Sequence, residues 1–124
     1  ALVSGGFTLF TEPVSLAIGF DEHRANRLEL ENGKLTGQVV DPILGREAKK
    51  SALVELRELF ALQDHETLAI GDGANDLDMI KEAGLGVAFH AKPAVAEAAH
   101  ARIDHADLTA LLYAQGYSRS SWIE

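Results

Sequence analysis

Thr67-Leu68-Ala69-Ile70-Gly71-Asp72-Gly73-Ala74-Asn75-Asp76 is the stretch that decides how this chain folds. A short apolar run over 67–70 ends in a glycine-bounded turn, and a helical pattern over 76–83 follows and stops at Gly84. Another apolar run covers 85–89, and Pro93 suits the first turn of a helix running to about residue 99. Strand, turn, helix, strand at this spacing predicts an α/β fold with a mostly parallel sheet. Ligands of such sheets bind beyond the carboxyl ends of the strands, so the loop after residue 70 is a place to look for chemistry.

The same alternation extends in both directions. Upstream, residues 1–3 read as the end of a buried strand entering Ser4-Gly5-Gly6, and 8–18 is weakly helical up to Gly19. Residues 27–30 and 34–40 flank Asn32-Gly33, a strong hairpin signal. The clearest helix covers 47–61, where Leu53, Leu56 and Phe60 recur at helical spacing. Downstream, 102–104 is expected to form a last strand and 107–114 a last helix ended by Gly116. One domain over 1–117 is expected, then a polar tail over 118–124 with Trp122 packing back.

Composition mainly excludes. The 124 residues carry 11 Lys+Arg against 19 Asp+Glu, a net charge of −8, which argues against a nucleic-acid or anionic-membrane surface. With no cysteine there are no disulfides, zinc–thiolate sites or thiol nucleophiles, which fits a reducing, cytoplasmic setting. No apolar run approaches the roughly 18–20 residues of a membrane span.

Two carboxylates and an amide gather in the loop after residue 70. Asp72, Asn75 and Asp76 suit a hard cation such as Mg²⁺, which takes oxygen ligands. As a set they also read as ordinary turn formers and a helix cap. A dinucleotide fingerprint starting at Gly71-x-Gly73 is rejected, because Asp76 occupies its third glycine position and would repel a pyrophosphate. Ser4-Gly5-Gly6 offers a hydroxyl and open backbone N–H groups to phosphate oxygens, or is a plain turn. Counting back from Leu56 and Leu53 puts Lys49 on the core-facing stripe, where it either snorkels or meets a buried anion. The histidines at 23, 65, 90, 100 and 105 show no zinc-helix spacing, and His90 lies near the active edge without a task.

Together, Ser4-Gly5-Gly6-Phe7, Lys49 and Gly71-Asp72-Gly73-Ala74-Asn75-Asp76-Leu77 resemble the later motifs of the haloacid dehalogenase superfamily. The similarity includes Ala25-Asn26-Arg27-Leu28-Glu29, the hairpin turn at Asn32-Gly33-Lys34, residues 84–89 and residues 107–113. It implies a three-layer Rossmann-like core and a Mg²⁺-dependent phosphomonoesterase, closest to members that hydrolyse O-phospho-L-serine in serine biosynthesis. By the same resemblance, Ser4 and the Gly5 backbone hold the transferring phosphoryl group and Lys49 neutralises its charge. Asp72 ligates Mg²⁺, Asp76 acts on the metal site through its shell, and Asn75 orients the phosphate.

The family's nucleophile, the first aspartate of an Asp-x-Asp-x-Thr motif, has no counterpart here. Asp76-Leu77-Asp78 imitates it inside an expected helix and lacks the threonine. His90 stands where the family usually has asparagine. The resemblance therefore implies that the central nucleophile strand and the substrate-recognising cap lie outside these residues, in a missing N-terminal segment or a second copy, with a homodimer as one arrangement. This chain alone is expected to be inactive. Rival readings are a related phosphatase or phosphotransferase on another small phosphate ester, a cation-pump phosphorylation domain, and a non-catalytic remnant used for binding or assembly.

Overall fold

The computed structural model describes residues 1–123; Glu124, the end of the expected tail, lies outside them. β1 (Leu2–Phe7) leads into α1 (Thr8–Ile18), and β2 (His23–Glu31) returns parallel to β1. β3 (Lys34–Val40) pairs antiparallel with β2 across the Asn32-Gly33 turn. Both turn residues have positive φ, 52° at Asn32 and 74° at Gly33, as this two-residue hairpin requires. α2 (Arg46–Leu59) then crosses to a second sheet. There β4 (Leu68–Gly71), α3 (Leu77–Glu82), β5 (Leu85–Phe89), α4 (Pro93–Ala98) and β6 (Ala101–Ile103) alternate, with all three strands parallel. α5 (Thr109–Ala114) and a 3₁₀ turn at Arg119–Ser121 follow, and Trp122 packs back on Tyr113 with ring centroids 5.1 Å apart.

The sheet is broken in the middle. Its strands form two groups, β1-β2-β3 and β4-β5-β6, and β1 does not pair with β4. The break falls between the strand carrying Ser4 and the strand ending at Gly71, the position the resemblance assigns to a central strand. A cavity of about 580 Å³ occupies it, lined by Leu2 and Val3 of β1, Leu68 and Ile70 of β4, and Lys49 and Leu53 of α2.

Several boundaries differ from the sequence reading. β1 continues through Ser4-Gly5-Gly6, with a register shift between Val3 and Phe7 that sets these three residues opposite Ala25 alone. Such a bulge keeps the segment extended while freeing it from regular pairing. β2 begins at His23, because its first residues pair with β1 before the hairpin starts. α2 ends at Leu59, so Phe60 falls past the helix and is exposed instead of continuing the apolar stripe. A 3₁₀ turn at Ala74–Asp76 precedes α3, which is shorter than expected.

Ile80 of α3 and Val87 of β5 are the largest fully buried side chains, and Ile80 clusters with Ala88, Val95 and Ala96. A Cβ on Gly86 would fall onto the Ile80 carbonyl, so the close approach of helix to strand requires glycine there. α1 reverses the usual pattern. It buries Thr11 and Ser15, while Leu9, Phe10, Val14, Leu16 and Ile18 are exposed.

Candidate active site

Asp76 ends the 3₁₀ turn after β4, and its side chain is tucked beneath Gly71, where a Cβ would lie 2.5 Å from that of Asp76. Its residue is only 5% exposed, and both carboxylate oxygens are engaged. Lys49 Nζ donates to Oδ1 at 2.5 Å, and the N–H groups of Asp72 and Gly73 donate to Oδ2 at 3.1 Å each. Burial pushes the Asp76 carboxyl up, but the Lys49 ammonium and the two backbone N–H groups outweigh it and hold the group below the usual carboxylate range. Lys49 itself is 8% exposed, so of the two sequence readings it meets a buried anion and does not snorkel.

This arrangement makes Asp76 an organiser of the loop. Asp72 and Asn75 stay exposed, and among the described residues neither side chain takes part in a hydrogen bond or ion pair. The Asp72 carboxylate is thus an open oxygen donor of the type Mg²⁺ prefers, whereas both oxygens of Asp76 are committed. Among the described residues no three His, Cys, Asp or Glu groups cluster as a metal site, and Asp72 is the one carboxylate of this loop with both oxygens uncommitted.

On β1, the Gly6 N–H donates to Ser4 Oγ at 3.0 Å. The Ser4 oxygen is thereby an acceptor locally, and its proton is available to a ligand. Among the described residues no hydrogen bond joins Ser4 or Gly5 to the 71–76 loop. The two segments instead flank one cavity: Val3 and Ile70, the residues just before Ser4 and Gly71, both line the space that Lys49 reaches.

Asn26 entered the sequence reading only as part of the family pattern. Its residue is 6% exposed, with Nδ2 donating to the carbonyls of Gly5 and Leu44 and Oδ1 accepting from the Leu44 N–H. An amide among the paired residues of a strand is the signal that would have flagged it, since buried polar groups must be satisfied. His90 has φ 44°, stacks on Phe89 at 4.2 Å and donates from Nε2 to the Ala106 carbonyl at 2.7 Å. Asp78, the second acid of the imitated motif, lies in α3 and is held by two 2.6 Å bonds from Arg46.

A larger cavity of about 790 Å³ opens over the start of α2, but its guanidinium groups are already matched: Arg24 to Glu22 and Glu55, Arg46 to Asp78.

The sequence profile of the haloacid dehalogenase-like hydrolases matches residues 1–81. Phosphoserine phosphatase SerB2 of Mycobacterium tuberculosis is 43% identical over 95% of this chain, which covers 29% of that protein. A phosphoserine phosphatase of Albidiferax ferrireducens is 48% identical over 90% of the chain and 48% of the relative. Among solved structures, a probable phosphoserine phosphatase from Vibrio cholerae superposes with a TM-score of 0.81 at 40% identity, covering 92% of this chain and 38% of that one. A substrate-bound phosphoserine phosphatase complex gives 0.82 at 40% identity, covering 90% and 53%. The chain thus spans about a third to a half of the length of these relatives.

Proposed function

The chain belongs to the haloacid dehalogenase-like hydrolases, and from that premise we propose that it supplies the phosphate-holding part of an enzyme that hydrolyses O-phospho-L-serine to L-serine and phosphate. The observation that carries this reading is the similarity to phosphoserine phosphatases along nearly the whole chain. Related phosphatases on other small phosphate esters share the chemistry and are distinguished by substrate.

In this reading the Ser4 hydroxyl and the Gly5 N–H donate to phosphoryl oxygens, and Asn75 orients the phosphate from the opposite loop. Lys49, kept in place by Asp76, neutralises charge on the phosphoryl group and on the attacking carboxylate. Phosphoryl transfer is governed by such positioning and charge neutralisation. Asp72 is the residue that would hold Mg²⁺, which supplies further positive charge to the phosphate oxygens when bound. Asp76 serves the metal site indirectly, by setting the backbone on which Asp72 stands.

The nucleophile comes from outside these residues. Its carboxylate attacks phosphorus, the serine oxygen leaves with a proton from a second acid, and water then hydrolyses the aspartyl-phosphate. The cavity between β1 and β4 is where a strand carrying that carboxylate fits, because both flanking strands present an unpaired edge to it. A missing N-terminal segment of the same protein is the proposed source, and a second copy is the alternative. The test is turnover of the complete protein on a panel of phosphate esters with Mg²⁺. Phosphoserine is expected among the best substrates, and a place among the poorest overturns the assignment. Asp72→Asn is expected to abolish Mg²⁺-dependent turnover while leaving the folded state intact by circular dichroism.

A further inference from the structure

Asn26 sits on β2 and is not itself a proposed site residue, yet it joins β1, which carries Ser4, to the loop that leads into α2, the helix of Lys49. Its Nδ2 donates to the Gly5 carbonyl at 3.0 Å and to the Leu44 carbonyl at 3.2 Å, while its Oδ1 accepts the Leu44 N–H at 2.6 Å. Both donor directions of Nδ2 and one acceptor site of Oδ1 are thereby used inside the protein, in a residue that is itself buried.

The consequence for Ser4 follows from peptide geometry. The Gly5–Gly6 bond is trans, so its C=O and N–H lie in one rigid plane and point in opposite directions within it. Holding the Gly5 oxygen toward Asn26 aims the Gly6 N–H the other way, and there it meets Ser4 Oγ at 3.0 Å. With an N–H already directed at it, Oγ keeps its own proton for an outside acceptor. The segment needs this restraint, because it is bulged out of regular pairing and contains two adjacent glycines. The bonds to Leu44 tie the same amide to the loop that immediately precedes α2, the helix of Lys49.

We infer that Asn26 is a positioning residue, which sets the Ser4 hydroxyl as a phosphate donor by fixing the plane of the Gly5–Gly6 peptide. The inference rests on the reading of Ser4 as a phosphate-holding residue.

A double-mutant cycle in the complete protein tests it, using Asn26→Ala, Ser4→Ala and the pair, with kcat and KM for phosphoserine and the melting temperature of each. Asn26→Ala is expected to lower kcat/KM by about 10–100-fold with Ser4 present, and by less than about threefold in the Ser4→Ala background. A residue that merely stabilises the fold gives the same loss in both backgrounds, and that additive result overturns the inference. Asn26→Asp keeps the acceptor for the Leu44 N–H but loses the donor to Gly5, and it is carried through the same cycle should Asn26→Ala fail to fold. Failure of both variants to fold assigns Asn26 to architecture and likewise overturns it. Binding of inorganic phosphate to the unsubstituted protein, measured by calorimetry, separates this from the functional reading. Absence of both phosphate binding and turnover in the unsubstituted protein refutes the phosphatase reading itself, whereas a normal parent with an additive cycle refutes only the role of Asn26.

Discussion

Replacing Lys49 by Met would leave the Asp76 carboxylate buried without its cation. Breaking one partner of a buried pair typically costs about 3–5 kcal/mol, because the remaining charge is left uncompensated. Lys49→Met is expected to lose stability of that order in urea unfolding, and adding Asp76→Asn to it should recover part of the loss. Asp76 also makes a prediction about acid. Its folded carboxyl is held below the ordinary value of about 3.9, so the pair's contribution is full above that pH and fades as pH falls toward the folded value. The unfolding free energy of the unsubstituted protein should therefore fall more steeply below about pH 4 than that of Asp76→Asn. Equal slopes in the two proteins would contradict the assigned coupling. At this scale the sequence was informative where periodicity spoke: counting back along α2 put Lys49 on the inner stripe. It was silent on which anion Lys49 meets and on Asn26, because both pairings join residues more than twenty positions apart.

The elements were legible wherever a turn signal bounded them. Gly19 ends α1 in the left-handed conformation at φ 90°, and β5 occupies the apolar run at 85–89 as expected. The differences arose where tertiary pairing decides. The glycines of Ser4-Gly5-Gly6 suggested a turn, but pairing with β2 keeps them extended in β1. Arg24 and Asn26 disguise the first half of β2, whose polar side chains are taken up by ion pairs and hydrogen bonds to other segments. Gly86 gives the corresponding prediction. An added Cβ would collide with a backbone carbonyl of α3, which cannot move aside as a flexible side chain can. Gly86→Ala is expected to destabilise the protein by about 1–3 kcal/mol or more, read as a lowered melting temperature. α1 shows what patterning alone does not reveal, since its apolar residues face outward and its small hydroxyl residues face the sheet.

Across the whole molecule, no helix among the described residues is long and apolar enough to cross a membrane. The two three-stranded groups are bridged by α2, whose charged face is tied to α3 through Arg46–Asp78, Lys50–Glu82 and Arg57–Glu82. Strand β5 has partners on both sides, whereas β1 and β4 each present one edge to the cavity. Hydrogen exchange of this 124-residue chain should therefore be slowest in β5 and faster at the β1 and β4 amides facing that gap. Uniform protection across these strands would contradict an open slot. The broken sheet also bears on how the chain reaches its native state. Each group is built from neighbouring stretches, residues 2–40 for one and 68–103 for the other, so pairing within a group closes only short loops. The segment that brings distant parts of the chain together is α2, the one α-helix that links the two groups along the sequence.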